Sequence, residues 1–284
     1  MDYLDRLIDL ALDEDLGAAG DITTRSLGLK RARARAELWA KEEMVLAGLD
    51  AFARVFQRVD PRLEVKLHSS DGEQIARPTR VAEVSGAAAA ILTAERTALN
   101  IVQRTSGIAT ATRRAVEAIG DSPLRILDTR KTPPGMRQLA KAAVRAGGGH
   151  NHRFGLFDGI LIKDNHIAAV GGSVRESLRR ARENAPRLVK IEVEVTSRAQ
   201  AEQAISAGAN ILLLDNMDDE QIREVVALAR GRVELEVSGG IEIERLSAIA
   251  KLGVDYVSMG ALTHSARAVD LSLELLPGKR SSKR

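Results

Sequence analysis

The sequence predicts an α+β domain followed by an α/β barrel, and three observations carry that prediction. The first part of the chain, up to about Gly86, mixes one amphipathic helix with alternating, strand-like runs. From Leu124 onward, short apolar runs alternate with helical segments, the pattern of a parallel sheet covered by helices on its outer face. Polar or charged residues close almost every one of those runs, as they do where strand ends converge on a barrel mouth.

The elements follow in order. Leu4, Leu7, Ile8, Ala11 and Leu12 mark one face of a first helix. The segment from Ala32 to Gly48 alternates and reads as a strand ending at Gly48. LEVKLH and RVAEVSG read as shorter strands with a turn at Asp71-Gly72. A long helical pattern runs from about Leu92 to Ile119, with Thr93 as its N-cap and Gly107 as a weak point inside it. The strand–helix rhythm then begins: RILDT with a helix over Met136–Arg145, GILIK with Val174–Asn184, IEVEV with Arg198–Ser206. NILLLD pairs with Glu220–Ala229, VELEVS with Glu244–Lys251, and DYVSM with a last short helix. Gly147, Gly208 and Gly253 are placed to end helices in the left-handed conformation. About six such units favour a barrel, with a doubly wound open sheet as the alternative.

Composition narrows the function. With 284 residues, 44% of them hydrophobic, the chain can bury one large core or a barrel plus a smaller domain. A net charge of +3 is too small to make the whole surface a polyanion-binding one. The absence of cysteine excludes disulfides, a Cys nucleophile and thiolate metal sites, and fits a reducing compartment. No run approaches the roughly 20 apolar residues of a membrane span, and the acidic N-terminus does not resemble a signal peptide, so a soluble, cytoplasmic protein is expected. Aromatic residues make up only 2%, which argues against base stacking on single-stranded nucleic acid. The basic run Arg31–Arg35 has period two and reads as one face of a strand. The basic run Lys279–Arg284 reads as a frayed end, so no nucleic-acid partner is expected.

The chemistry is expected at the strand ends. Arg130, Lys131, Arg153 and Lys163 cluster around the glycine run Gly147-Gly148-Gly149, and would suit carboxylate or phosphate groups. A solvated charged surface is the plain alternative. Glu194 and Asp215 are anions at the ends of apolar strands. They could hold a divalent metal, bond sugar hydroxyls, stabilise a developing cation, or simply pair with a barrel cation. Ser238-Gly239-Gly240 and Ser258-Met259-Gly260 each open a helix and could cradle a phosphate, or could be ordinary tight turns. His150 and His152 invite a zinc reading, but the later strand ends offer too few further ligands, and His152 is better used donating to a carboxylate. His166 fits a turn or the core. Lys163 could form a Schiff base if it were desolvated.

Taken together, the segments EDLGAAGDITT, AERTALNIVQRTSGIAT, LDTRKTPPGMRQLAKAAVRAGGGHNHRFGLFDGILIKDNHI, KIEVEV, LLLDNM, EVSGGI and DYVSMGALTHSA resemble the quinolinate phosphoribosyltransferases, the decarboxylating nicotinate-nucleotide pyrophosphorylases. They cover nearly the whole chain from Glu14 to Ala266, and KTPPG in place of the commoner KTTPG touches no charged residue. The resemblance implies an incomplete, TIM-like α/β barrel of roughly seven strands. It implies domains at 1–105 (an N-terminal α/β sandwich) and 106–269 (the barrel), with the tail 270–284 packing on the first. It implies transfer of phosphoribosyl from 5-phosphoribosyl 1-pyrophosphate (PRPP) to quinolinate with decarboxylation, in de novo NAD biosynthesis, with Mg2+. Arg96, Arg130, His152, Arg153 and Lys163 would bind quinolinate, Arg96 reaching in from the partner of a homodimer or larger dimer-based assembly. Lys131, Glu194 and Asp215 would be catalytic and, with Ser238, Gly239, Gly240, Ser258 and Gly260, would hold PRPP; Glu194 and Asp215 could also meet the metal.

Overall fold

The computed structural model describes residues 2–277. The basic run at Lys279–Arg284 lies outside them. The described residues form two compact units: 2–111, 133–148 and 265–277 in one, 112–132 and 149–264 in the other.

In the first unit, β1 (Arg33–Ala40), β3 (Glu64–Leu67), β5 (Thr79–Ala87) and the last strand of the described residues, β12 (Leu271–Pro277), form an antiparallel sheet in the order β12-β1-β5-β3. A separate pair joins β2 (Met44–Val45) to β4 (Gln74–Ile75). The strand expected to run unbroken to Gly48 thus stops at Ala40 and resumes as β2, with a new partner. Along β1 the residues alternate: Ala34, Ala36, Leu38 and Ala40 are buried, while Arg35 and Glu37 face outward. Glu37 pairs with Arg35 at 3.6 Å and Arg80 at 2.7 Å, so Arg33 and Arg35 stand on a charged sheet face as the period implied, whereas Arg31 closes the short 3-10 turn Leu29–Arg31 ahead of the strand. Helices α1 (Tyr3–Leu16) and α3 (Leu49–Val59) pack their apolar stripes, Leu4, Ile8, Phe52, Val55 and Phe56 among them, into this core. A short α2 (Ile22–Ser26) is capped by Asp21.

The long helix α4 (Ala88–Ala118) starts earlier than expected. Thr93 lies inside it and donates to Asp21 Oδ2 at 3.1 Å instead of capping it. Gly107 has a packing reason: a Cβ there would stand 2.0 Å from the Arg267 carbonyl oxygen. Helix α5 (Arg137–Ala146) belongs to this unit, although the sequence counted it with the barrel. Its Ala140, Ala143 and Val144 cluster with Val45, Ala47, Ile108 and Ala266, which also explains why the unit reclaims residues 265–269. At the end of α5, Gly147 stays right-handed at φ −73 and Gly148 takes the left-handed turn at φ +91. Gly208 and Gly253 do adopt left-handed φ values of 81 and 84.

The second unit is the barrel. Its parallel strands are β6 (Arg125–Leu127), β7 (Ile160–Ile162), β8 (Ile191–Val195), β9 (Ile211–Asp215), β10 (Glu234–Ser238) and β11 (Tyr256–Ser258), paired in the order β6-β11-β10-β9-β8-β7. Neighbours are sequential from β7 to β11 and β11 pairs with β6, the circular order of a barrel and not the strand reversal of a doubly wound sheet. A seventh position is held by His150 alone, which bridges Leu127 in parallel. Among the described residues no ladder joins it to β7, so the barrel is incomplete there. Outward-facing Val193, Leu212, Leu214, Leu235 and Val237 are buried beneath the helices, each stabilising the fold by about 1.5–3 kcal/mol. Those helices are α6 (Asp164–Ala169), which the sequence did not signal, then α7 (Val174–Asn184), α8 (Arg198–Ser206), α9 (Asp219–Ala229), α10 (Ile243–Ile249) and α11 (Ala261–His264). Ser173, Ser197 and Asp218 cap α7, α8 and α9 through their side-chain oxygens, about 1 kcal/mol apiece. No helix among the described residues is long and apolar enough to cross a membrane.

Candidate active site

In β8 and β10 every second residue points into the barrel, and the last inward position of each strand reaches its mouth. There a cavity of about 630 Å3 is lined by Thr129, Arg130, Lys131, His152, Arg153, Lys163, Glu194, Asp215, Asn216, Glu236, Ser238, Gly239, Gly240 and Ser258. Most of the residues expected from the sequence therefore meet in one place.

The cationic wall is built from backbone first. Asp128 is fully buried; its carboxylate accepts from Asn151 Nδ2 at 2.6 Å and from the His152 N–H at 2.9 Å. Its own N–H donates to His150 O at 3.1 Å. These bonds fasten the 150–152 segment to β6 and so set where Arg153 begins. The Arg153 guanidinium donates to Gly159 O at 3.0 Å. Burial, then the neighbouring Arg130, hold the Arg153 pKa below the usual guanidinium value, with Glu192 and Asp158 opposing. Two guanidiniums that repel in a half-buried site gain from an anion between them. Lys131 is held by its N–H to Thr129 Oγ1 at 3.0 Å and by Thr263 Oγ1 donating to its carbonyl at 2.8 Å. Gly260 does not line the cavity, but a Cβ there would stand 2.9 Å from Lys131 Cδ, so its bareness makes room for that side chain.

Lys163 directly precedes α6. Its N–H donates to His166 Nδ1 at 3.0 Å, which makes His166 a turn residue. Lys163 is 46% exposed at its side chain and its Nζ lies 3.5 Å from Glu194 Oε2. That is the opposite of the desolvated lysine a Schiff base needs.

Across the mouth stand Glu194 and Asp215. Burial raises the Glu194 pKa above the ordinary carboxylate value; Lys163 opposes the rise, while Asp215 and Asp164 add to it. Asn216 holds Asp215 by donating from Nδ2 to Oδ2 at 2.8 Å, in a left-handed conformation at φ 54 that Asn tolerates. The two carboxylates are hard oxygen donors of the kind Mg2+ takes alongside water and phosphate oxygens.

The glycine ends differ from expectation in one respect. Helix α10 starts only at Ile243 and has 7 residues, and α11 has 4, so helix dipoles contribute little. The cradle comes from backbone: Gly239 and Gly240 hold φ of 97 and 56, and a Cβ on Gly239 would lie 2.3 Å from Asn216 Oδ1.

Beneath the mouth lie two residues the sequence reading missed. Glu192 and Glu236 are buried, with His152 Nε2 3.0 Å from Glu192 Oε2 and 3.7 Å from Glu236 Oε1. Burial and the facing Glu192 carboxylate push Glu236 up to about 7. The signal was period two: Glu192 precedes Glu194 by two residues, and Glu236 precedes Ser238 by two. His152 does pair with a carboxylate, as expected. With Glu192 and Glu236 it forms the group among the described residues that could hold a metal ion, which the sequence reading had not foreseen. The 3.0 Å contact between His152 Nε2 and Glu192 Oε2 is also a hydrogen-bond length, which a proton on Nε2 satisfies. Arg96 is exposed on α4 and does not line the cavity.

A parallel barrel whose mouth sets guanidiniums and lysines against two carboxylates and a glycine cradle defines an enzyme acting on small, polyanionic substrates. Comparison with known proteins makes the class specific. The models for the N-terminal and C-terminal domains of quinolinate phosphoribosyl transferase match residues 21–106 and 108–274. The "Probable nicotinate-nucleotide pyrophosphorylase (carboxylating)" of Bacillus subtilis is 44% identical over 272 residues, 96% of this chain and 93% of that one. The crystal structure of NadC from Streptococcus pyogenes superposes with TM-score 0.92 at 44% identity, covering 97% of each chain. The nicotinate-nucleotide pyrophosphorylase of Francisella tularensis does so with TM-score 0.90 at 42% identity, covering 96% of each. The chain belongs to the quinolinate phosphoribosyltransferase family.

Proposed function

We propose that this protein transfers the phosphoribosyl group of PRPP to quinolinate, releasing pyrophosphate and CO2 and forming nicotinate mononucleotide for de novo NAD biosynthesis. The observation that carries the reading is the division of one cavity into a cationic wall and an anionic wall that meet at Lys163 and Glu194.

Quinolinate brings two adjacent carboxylates, and Arg130, Arg153 and Lys163 supply charge and bidentate donors for them. Lys131 faces the pyrophosphate. The anomeric C–O bond breaks with its electron pair leaving on pyrophosphate, and positive charge grows at the sugar. Glu194 and Asp215 stabilise that charge and accept from ribose hydroxyls. The ring nitrogen lone pair then forms the N–C bond. The pyridinium draws the electrons of the ring–carboxylate bond, CO2 leaves from position 2, and that carbon takes a proton. Ser238, Gly239, Gly240 and Ser258 hold the 5′-phosphate, and Gly260 leaves space for Lys131. No residue of this scheme is a covalent nucleophile, which agrees with the absence of cysteine. Mg2+, held through PRPP with Glu194 and Asp215 as protein donors, would offset charge on the leaving pyrophosphate.

The family's arrangement further proposes a homodimer, or a larger assembly of dimers, in which Arg96 of one subunit completes the acceptor site of the other. It also proposes a cytoplasmic location. Incubation with PRPP and either quinolinate or nicotinate tests the acceptor. Formation of nicotinate mononucleotide from quinolinate is expected; turnover of nicotinate alone would sink the reading.

A further inference from the structure

A buried hydrogen-bond chain runs beneath the acceptor wall, and none of the steps above uses it. His152 Nδ1 accepts the Arg153 backbone N–H at 2.7 Å, which requires that nitrogen to carry no proton. The ring proton then sits on Nε2, where Glu192 Oε2 accepts it at 3.0 Å. Glu236, 2% exposed, backs the pair from β10. Each glutamate also keeps an oxygen, Oε1, buried without a hydrogen-bond partner.

Stability does not account for this chain. Buried carboxylates lose their hydration, and apolar side chains of similar volume are often as stable or more so. The same inner layer already contains Leu161 and Leu213. What the chain does accomplish is orientation: it fixes one tautomer of His152 and, through it, the peptide from which Arg153 projects.

We propose that Glu192, backed by Glu236, is a positioning residue that locks His152 as the neutral Nε2–H tautomer and thereby aims Arg153 at the acceptor's carboxylates. The inference rests on the acceptor being a pyridine dicarboxylate. His152 serves acceptor binding through Arg153 and not as a cation of its own.

The test compares Glu192→Ala, which removes the acceptor of the Nε2 proton, with Glu192→Gln, which keeps an amide oxygen there. The alanine variant is expected to raise the quinolinate KM about tenfold or more while the PRPP KM stays within about twofold, and the glutamine variant to stay within about threefold of wild type on both. Imidazole 15N NMR of the wild-type protein, assigned with a His152→Gln variant, is expected to show a neutral ring protonated at Nε2. An imidazolium signal in the wild type, a quinolinate KM unmoved by Glu192→Ala, or equal rises in both KM values would overturn the proposal. So would a stoichiometric metal ion lost in Glu192→Ala, since it would make these groups ligands. If the wild-type protein does not turn over quinolinate, the functional reading fails, and the tautomer measurement alone decides the chain.

Discussion

Lys163 Nζ stands 3.5 Å from Glu194 Oε2, so the residue proposed for the acceptor and the residue proposed for the sugar form an ion pair across the site. Their contact couples the two halves of the site electrostatically.

One consequence concerns pH. Burial raises the Glu194 pKa and Lys163 holds it down. Removing the lysine charge in Lys163→Met should raise it further, and the carboxylate form would then be lost at higher pH. The acid limb of kcat/KM for PRPP should therefore move to higher pH in that variant. An unmoved limb would show that Glu194 does not control it.

Glu236 sets a second pH dependence, this time of stability. Its folded-state pKa is about 7 against an ordinary 4.5. A raised folded pKa means the folded protein holds the proton more tightly. The stabilisation is complete below the unfolded value of 4.5 and is lost as pH rises through about 7. Glu236→Gln should flatten the dependence of unfolding free energy on pH across that window, gaining on the order of a few kcal/mol over wild type at alkaline pH. Urea unfolding at acid and alkaline pH measures this, and parallel curves for the two proteins would contradict it.

Much of this site was legible in the sequence, because polar residues closing apolar strands announce a barrel mouth. Arg130, Lys163, Glu194, Asp215 and Ser238 all stand where that reasoning put them. Glu192 and Glu236 were not, since an alternating Glu in a strand looks the same whether its face meets water or a closed barrel interior. Helix α5 escaped for a related reason: its apolar stripe says that it packs, and not on which unit. His152 shows the limit most clearly, because a sequence does not reveal which ring nitrogen is already occupied.

Gly239 offers a steric test. A Cβ there would meet Asn216 Oδ1 at 2.3 Å and its backbone N at 2.8 Å, on a backbone at φ 97. Gly239→Ala should cost about 1–3 kcal/mol of stability and raise the PRPP KM about tenfold or more, with the quinolinate KM little changed. Equal effects on both substrates would remove this loop from phosphate binding.

Arg96 can be tested by complementation. Arg96→Ala and Arg130→Ala should each stay folded and lose activity by about a hundredfold or more, because each removes a charge-assisted contact. Unfolded and refolded together in equal amounts, they should recover about a quarter of wild-type activity, since half the dimers are mixed and each mixed dimer carries one intact site. No recovery would mean that Arg96 acts within its own chain or not at all.

The most direct measurement follows the carboxyl carbons of quinolinate separately. With 13C at the 2-carboxylate, the protein should release one labelled CO2 per pyrophosphate, only when PRPP and quinolinate are both present. With 13C at the 3-carboxylate, the label should stay in nicotinate mononucleotide. Pyrophosphate release without CO2, or label lost from position 3, would contradict the account.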